Sequence, residues 1–202
     1  EADNIKAVDE EGKVTRFEQD FEHNAQGLYP FVVGGIEGVT DNRTHLSEAH
    51  DKYTKAGYRI KEVNDTIDGN WSVKINGLVN RKALAYQTIP QNFRFEPGVT
   101  YNVRFDYEIG TTGAYAVTIG DGEYKGGTVV LPLEEAAGTK KTYQFIMIGA
   151  ESGQSWFGIY SSNVAVTSHD FTGRKDFILD NLVIEKSEVQ KGDLDKAIKL
   201  AD

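Results

Sequence analysis

The chain has 202 residues, 39% apolar and 26% charged, which suits one large globular unit with a sizeable core. A net charge of −9 leaves no basic face for phosphates and excludes nucleic acid as an expected partner. The absence of cysteine excludes disulfides, thiolate metal sites and cysteine nucleophiles, and no apolar run approaches membrane-spanning length, so no membrane insertion is expected.

In chain order, residues 1–14 are polar and acidic and read as a linker, with Glu1-Ala2-Asp3 beginning in mid-chain style rather than as a signal peptide. The first strand signal is Phe17-Glu18-Gln19-Asp20-Phe21-Glu22, where alternation places Glu18, Asp20 and Glu22 on one face. Like charges about 7 Å apart along a strand are tolerable in water and favour a cation once partly covered. Further alternating segments run from Trp71 to Ile75, Leu84 to Ile89, Tyr101 to Ile109, Tyr115 to Ile119, Thr142 to Ile148 and Trp156 to Ser161. Turn chemistry separates them at Asp68-Gly69-Asn70, Glu96-Pro97-Gly98, Gly120-Asp121-Gly122 and Gly126-Gly127.

The closing segment, Phe177 to Ile184, places Asp180 on the face of Ile178, Leu182 and Ile184 by the same alternation. A carboxylate among aliphatics is costly unless it is hydrogen-bonded, paired or bound to a cation. Beyond it, Asp193 can cap a short helix in which Leu194, Ala197, Ile198 and Ala201 form a narrow stripe. The pattern therefore predicts an all-β fold, an antiparallel β-sandwich of jelly-roll type over residues 15–186. Residues 187–202 are expected to be a linker and the start of a helical tail.

Catalytic signatures are lacking. His45 and His50 are five apart and lack the intervening Glu of the helical zinc motif, and no Gly-x-Ser-x-Gly elbow occurs. Sugar binding is better served, since it needs an aromatic face with polar groups around it. Tyr124 fits best, in a glycine-flanked loop with Asp121 and Glu123 beside it, followed by Tyr160 and then by Tyr29 and Tyr53.

Several strings together resemble one family, the galactose-binding-like β-sandwich module of endo-α-N-acetylgalactosaminidases. They are Phe31-Val32-Val33-Gly34, Glu37 to Glu48 (with Val39-Thr40-Asp41-Asn42-Arg43-Thr44-His45), Gly69-Asn70-Trp71-Ser72, Tyr86 to Phe95, Gly149 to Gly153 and Asp176 to Leu182. The resemblance implies a non-catalytic accessory module of a large secreted or wall-attached glycosidase of a Gram-positive bacterium, acting on mucin-type O-glycans. Its partners would be glycans containing galactose or N-acetylgalactosamine and neighbouring domains of the same polypeptide, with the module itself a monomer. It also implies a structural calcium held by Glu22 and Asp180 through side chains and Asp20 through its carbonyl, with Asp41 and Thr44 completing the shell. A structural spacer that binds no sugar is the alternative.

Overall fold

Apolar–polar alternation becomes strand almost wherever the chain is described. A computed structural model describes residues 5–23, 27–32, 44–48, 52–53, 59–60, 66–75, 83–109, 115–122, 129–133, 140–161 and 177–187. Its strands are β1 (Ile5–Val8), β2 (Val14–Gln19), β3 (Thr44–Glu48), β4 (Lys52–Tyr53), β5 (Arg59–Ile60), β6 (Trp71–Ile75) and β7 (Ala83–Gln87). They continue as β8 (Thr100–Ile109), β9 (Tyr115–Asp121), β10 (Val129–Leu133), β11 (Lys140–Ile148), β12 (Ser155–Ser161) and β13 (Phe177–Lys186). No helix occurs among the described residues, and the helical tail expected near Leu194 lies outside them.

The larger sheet runs β1-β2-β13-β6-β3, with β8 on the other side of β13 and β11 beyond β8. The second sheet runs β10-β9-β12-β7, and β4 and β5 form a small pair. Every pairing is antiparallel. Between the two main sheets lies an aromatic core. Tyr101, Val103, Phe105 and Tyr107 of β8 all point into it, as their alternation requires, and meet Tyr115, Val117, Phe157 and Ile159 of the second sheet. Tyr115 packs on Phe177 at 5.0 Å between centroids and Phe145 on Phe157 at 5.4 Å, each pair adding about 0.5–1.5 kcal/mol beyond its buried area.

Three local features depart from simple alternation. Residues 5–8 are strand rather than linker: Ile5 to Val8 pair with Glu18 to Val14 along the sheet edge, where exposed side chains such as Val8 leave little apolar signal. At the other end of the chain, β13 carries a bulge. Asp180 faces Asp106 and Val183 faces Arg104, so Asn181 and Leu182 share the single position opposite Phe105. That extra residue shifts the side-chain parity. Phe177, Leu179, Leu182 and Ile184 face the core, whereas Asp180 lies on the opposite face with Ile178. Finally, β2 ends at Gln19 and Phe21 adopts φ 62°, so Glu18, Asp20 and Glu22 do not share a face. Glu18 pairs with Arg16 on the strand, while the turn sends Glu22 elsewhere.

Asn181 makes the bulge possible. Its backbone is left-handed, φ 51°, and its Nδ2 donates to Asp68 and Asp106 at 2.5 and 2.8 Å. Asn181→Ala should cost about 1–3 kcal/mol in urea denaturation, from lost hydrogen bonds and a strained φ. Asn181→Gly, which loses the same bonds but relaxes the backbone, should cost less.

Candidate functional site

The bulge lies where β13 changes neighbours on one edge. Phe177 to Leu179 pair with β6 and Leu182 to Glu185 pair with β2, which leaves a break in the ladder between them. Asp180 fills it. Fully buried, its Oδ2 accepts from Ser72 Oγ at 2.7 Å and Asp68 N at 3.1 Å, and its Oδ1 accepts from Asn181 N at 2.8 Å. Glu22 reaches the same loop, accepting from Asn70 N at 3.0 Å and Trp71 N at 3.1 Å. Two carboxylates distant in sequence thus hold residues 66–72 through backbone amides. Burial pushes the Asp180 carboxyl up to about 7, the bonds from Ser72, Asn181 and Asp68 pull it down, and the Asp68 charge pushes it up.

Of the residues expected to hold a metal, the structure brings Glu22 and Asp180 to one loop. Asp20 is exposed and its Oδ1 accepts from Glu22 N in its own turn. Thr44 opens β3, and Asp41 lies outside the described residues. The donor set suits a cation in one respect: every hydrogen-bond partner of buried Asp180 is uncharged. Among the described residues no three His, Asp or Glu side chains converge as a complete metal site.

The expected sugar contacts separate. Asp121 ends β9, opposite Ser155, and accepts from Ser152 Oγ at 2.5 Å. Tyr160 pairs with Ala116, five residues further along β12, a rise of about 17 Å. One sugar ring cannot touch both. Glu123 and Tyr124 lie outside the described residues, as do the histidines His45 and His50 as side chains.

A cavity of about 210 Å³ lies elsewhere, between the start of β2 and the segment joining β7 to β8. Buried Tyr101 and Ile184 line it with the ring of Phe93, the Arg94 guanidinium, the Glu96 carboxylate, Thr15 and Val14. Phe93 is half-buried and held by Phe17 at 5.1 Å and Phe95 at 5.3 Å, so its ring is fixed. Glu96 lies 3.5 Å from Lys186 Nζ, and its backbone N–H donates to Tyr101 Oη. Arg94 is exposed and has no hydrogen bond or ion pair among the described residues, its guanidinium lying against Gly153. An aromatic wall, an unpaired guanidinium, a carboxylate and a hydroxyl around such a volume can grip one small polyol ring. Sequence reasoning missed this site because its residues come from four separate segments. The available signal was Phe93-Arg94-Phe95-Glu96, which alternates aromatic and charged residues immediately before a Pro-Gly turn.

Known proteins share this architecture. The family described as "Galactose-binding domain-like" matches residues 1–178. A protein of Renibacterium salmoninarum, provisionally named endo-alpha-N-acetylgalactosaminidase, is 27% identical over 169 residues, 83% of this chain. The match spans only 10% of that relative's length. Among solved structures, the CBM22-1 xylan-binding domain of Paenibacillus barcinonensis Xyn10C aligns with TM-score 0.51 at 12% identity, covering 86% of this chain and 94% of that one. The CBM22-2 domain of the same protein gives 0.50 at 13% identity, covering 85% and 99%. At such identities the likeness is one of fold.

The Asp180 carboxyl makes stability depend on pH. Its folded value of about 7 lies above the ordinary 3.8, so the native state holds the proton more tightly than the unfolded chain. In metal-free buffer the melting temperature should fall as pH rises from about 4 to about 7, then level off. Asp180→Asn should flatten that slope, and scanning calorimetry across the window in the presence of chelator checks it.

Proposed function

The chain belongs to the galactose-binding domain-like family, and from that premise we propose that it is a non-catalytic carbohydrate-binding module of a larger extracellular glycosidase acting on mucin-type O-glycans. The observation that carries the reading is the cavity at Phe93, Arg94 and Glu96, where a fixed ring and charged groups surround space for one sugar. The similarity of most of the chain to a tenth of a protein named for N-acetylgalactosaminidase activity supports both the accessory role and the glycan class. Galactose and N-acetylgalactosamine units are accordingly the proposed ligands. No helix among the described residues is long and apolar enough to cross a membrane.

A spacer role has its own observation in favour. Ile146 and Ile148 are about half exposed on the outward face of β11, at the far side of the larger sheet, and a neighbouring domain could cover them. Sugar binding discriminates the two readings directly.

A structural calcium belongs to the same proposal. Glu22 and Asp180 would hold it, replacing the proton on Asp180 with a cation and tying the chain's opening and closing strands together. Each carboxylate oxygen keeps a lone pair beyond the backbone bonds described above.

Stacking and a few hydroxyl contacts leave an affinity of about −4 to −6 kcal/mol. Arg94→Gln should weaken galactose or N-acetylgalactosamine binding about tenfold in calorimetry while the melting temperature stays put, because the guanidinium bonds nothing in the fold. A wild-type chain that binds neither sugar, on arrays or by calorimetry, overturns the reading in favour of the spacer. Chelation of calcium-loaded protein should lower the melting temperature, and Glu22→Gln should abolish that response. An unchanged melting temperature after metal is shown to have left removes the calcium proposal.

A further inference from the structure

The outward face of the second sheet carries polar side chains that nothing in the fold satisfies. On β12, Phe157 and Ile159 face the core, so Trp156, Gly158 and Tyr160 face outward. Gly158 sits between Gln87 of β7 and Thr118 of β9 in register, and all three share that face. Gln87 and Thr118 are both fully buried. Yet Gln87 Oε1, Gln87 Nε2 and Thr118 Oγ1 have no hydrogen-bond partner. Other buried polar atoms without partners, on Tyr86, Asn92 and Asn102, belong to separate places. These three converge on one glycine.

Unmade hydrogen bonds at buried atoms are costly, so a fold that keeps three together retains them for something that binds there. The neighbours shape the place. A Cβ on Gly158 would press to 2.6 Å from the Gln87 Cβ, so only glycine lets that side chain lie across β12. Gly120 similarly admits the Trp156 ring, whose Nε1 donates to Gly122 O at 2.7 Å and fixes the indole. Tyr160, half-buried and next along β12 on this face, brings the row toward solvent. Gln87 and Thr118 are two strand spacings apart, about 9–10 Å between backbones, which their side chains narrow from both sides. An amide offers one donor and one acceptor, and a hydroxyl offers both. Neighbouring hydroxyls on a sugar ring present the matching set.

We propose that Gln87 and Thr118, flanking Gly158, form a second carbohydrate subsite on the outward face of the four-stranded sheet, reading a pair of sugar hydroxyls. It rests on the carbohydrate-binding reading but not on the Phe93–Arg94 cavity, which lies on a different part of the fold.

The test compares wild type, Arg94→Gln and the double variant Gln87→Leu/Thr118→Val for melting temperature. Calorimetric binding of galactose, N-acetylgalactosamine and the disaccharide of the two is measured alongside. Because the deleted polar atoms bond nothing internally, the double variant should melt at or above the wild-type temperature. Its affinity for the disaccharide should drop at least about tenfold, the loss of one or two hydrogen bonds. Unchanged affinity in the double variant, while Arg94→Gln weakens binding, overturns this subsite and leaves the carbohydrate-binding reading standing. A lowered melting temperature with unchanged affinity means that a buried water satisfies the three atoms, which also overturns it. Wild type that binds none of the three sugars overturns both.

Discussion

The backbone ladder of β13 organises the molecule. One edge is shared between β6 and β2, and the other belongs to β8. Its inward residues Phe177, Leu179, Leu182 and Ile184 run the length of the core. A strand with two neighbours on one edge needs a place to change from one to the next, and the bulge at Asn181 is that place. Without the extra residue, the second half of β13 would turn Leu182 and Ile184 outward and Val183 inward, and the aromatic core could not close around them.

The break in the ladder also explains why carboxylates sit there. Unpaired amides of residues 68–71 need acceptors, and Asp180 and Glu22 supply them from opposite ends of the chain. The arrangement holds a loop in place at the cost of keeping an acid away from water, and the raised proton affinity of Asp180 records that cost. Charged pairs nearer the surface contribute less. Arg16 bridges Glu18 and Glu185 across β2 and β13, an exposed network of about 0–1 kcal/mol that helps register more than stability.

How much of this is legible in the sequence follows from which contacts are local. Tyr101 to Ile109 is strand on its own evidence, since every second side chain is large and apolar, and the two-sheet architecture follows from repeating that pattern. The face of Asp180 is not legible, because parity along β13 is reset by Asn181, whose left-handed backbone is held by Asp68 and Asp106 from elsewhere in the chain. Glu22 is misplaced by alternation for a related reason: Phe21 leaves the extended region and is buried, turning the next side chain toward the 69–71 loop. Residues 5–8 are hidden because an edge strand can pair through its backbone while exposing its side chains. The cavity and the Gln87–Thr118 row are assembled by register between separate strands, and no window of sequence contains either.

The order of β1, β2 and β13 has a mechanical side. β1 and β13 are both antiparallel to β2 and therefore parallel to each other, with Ile5 near the Glu18 end of β2 and Glu185 near its Arg16 end. Tension carried along the backbone through Ile5 and out through Lys186 pulls these strands lengthwise past β2. The hydrogen bonds, which run across the strands, are then loaded together in shear instead of being peeled one after another. A unit wired in this way resists stretching and can transmit force between whatever lies before and after it without opening its core.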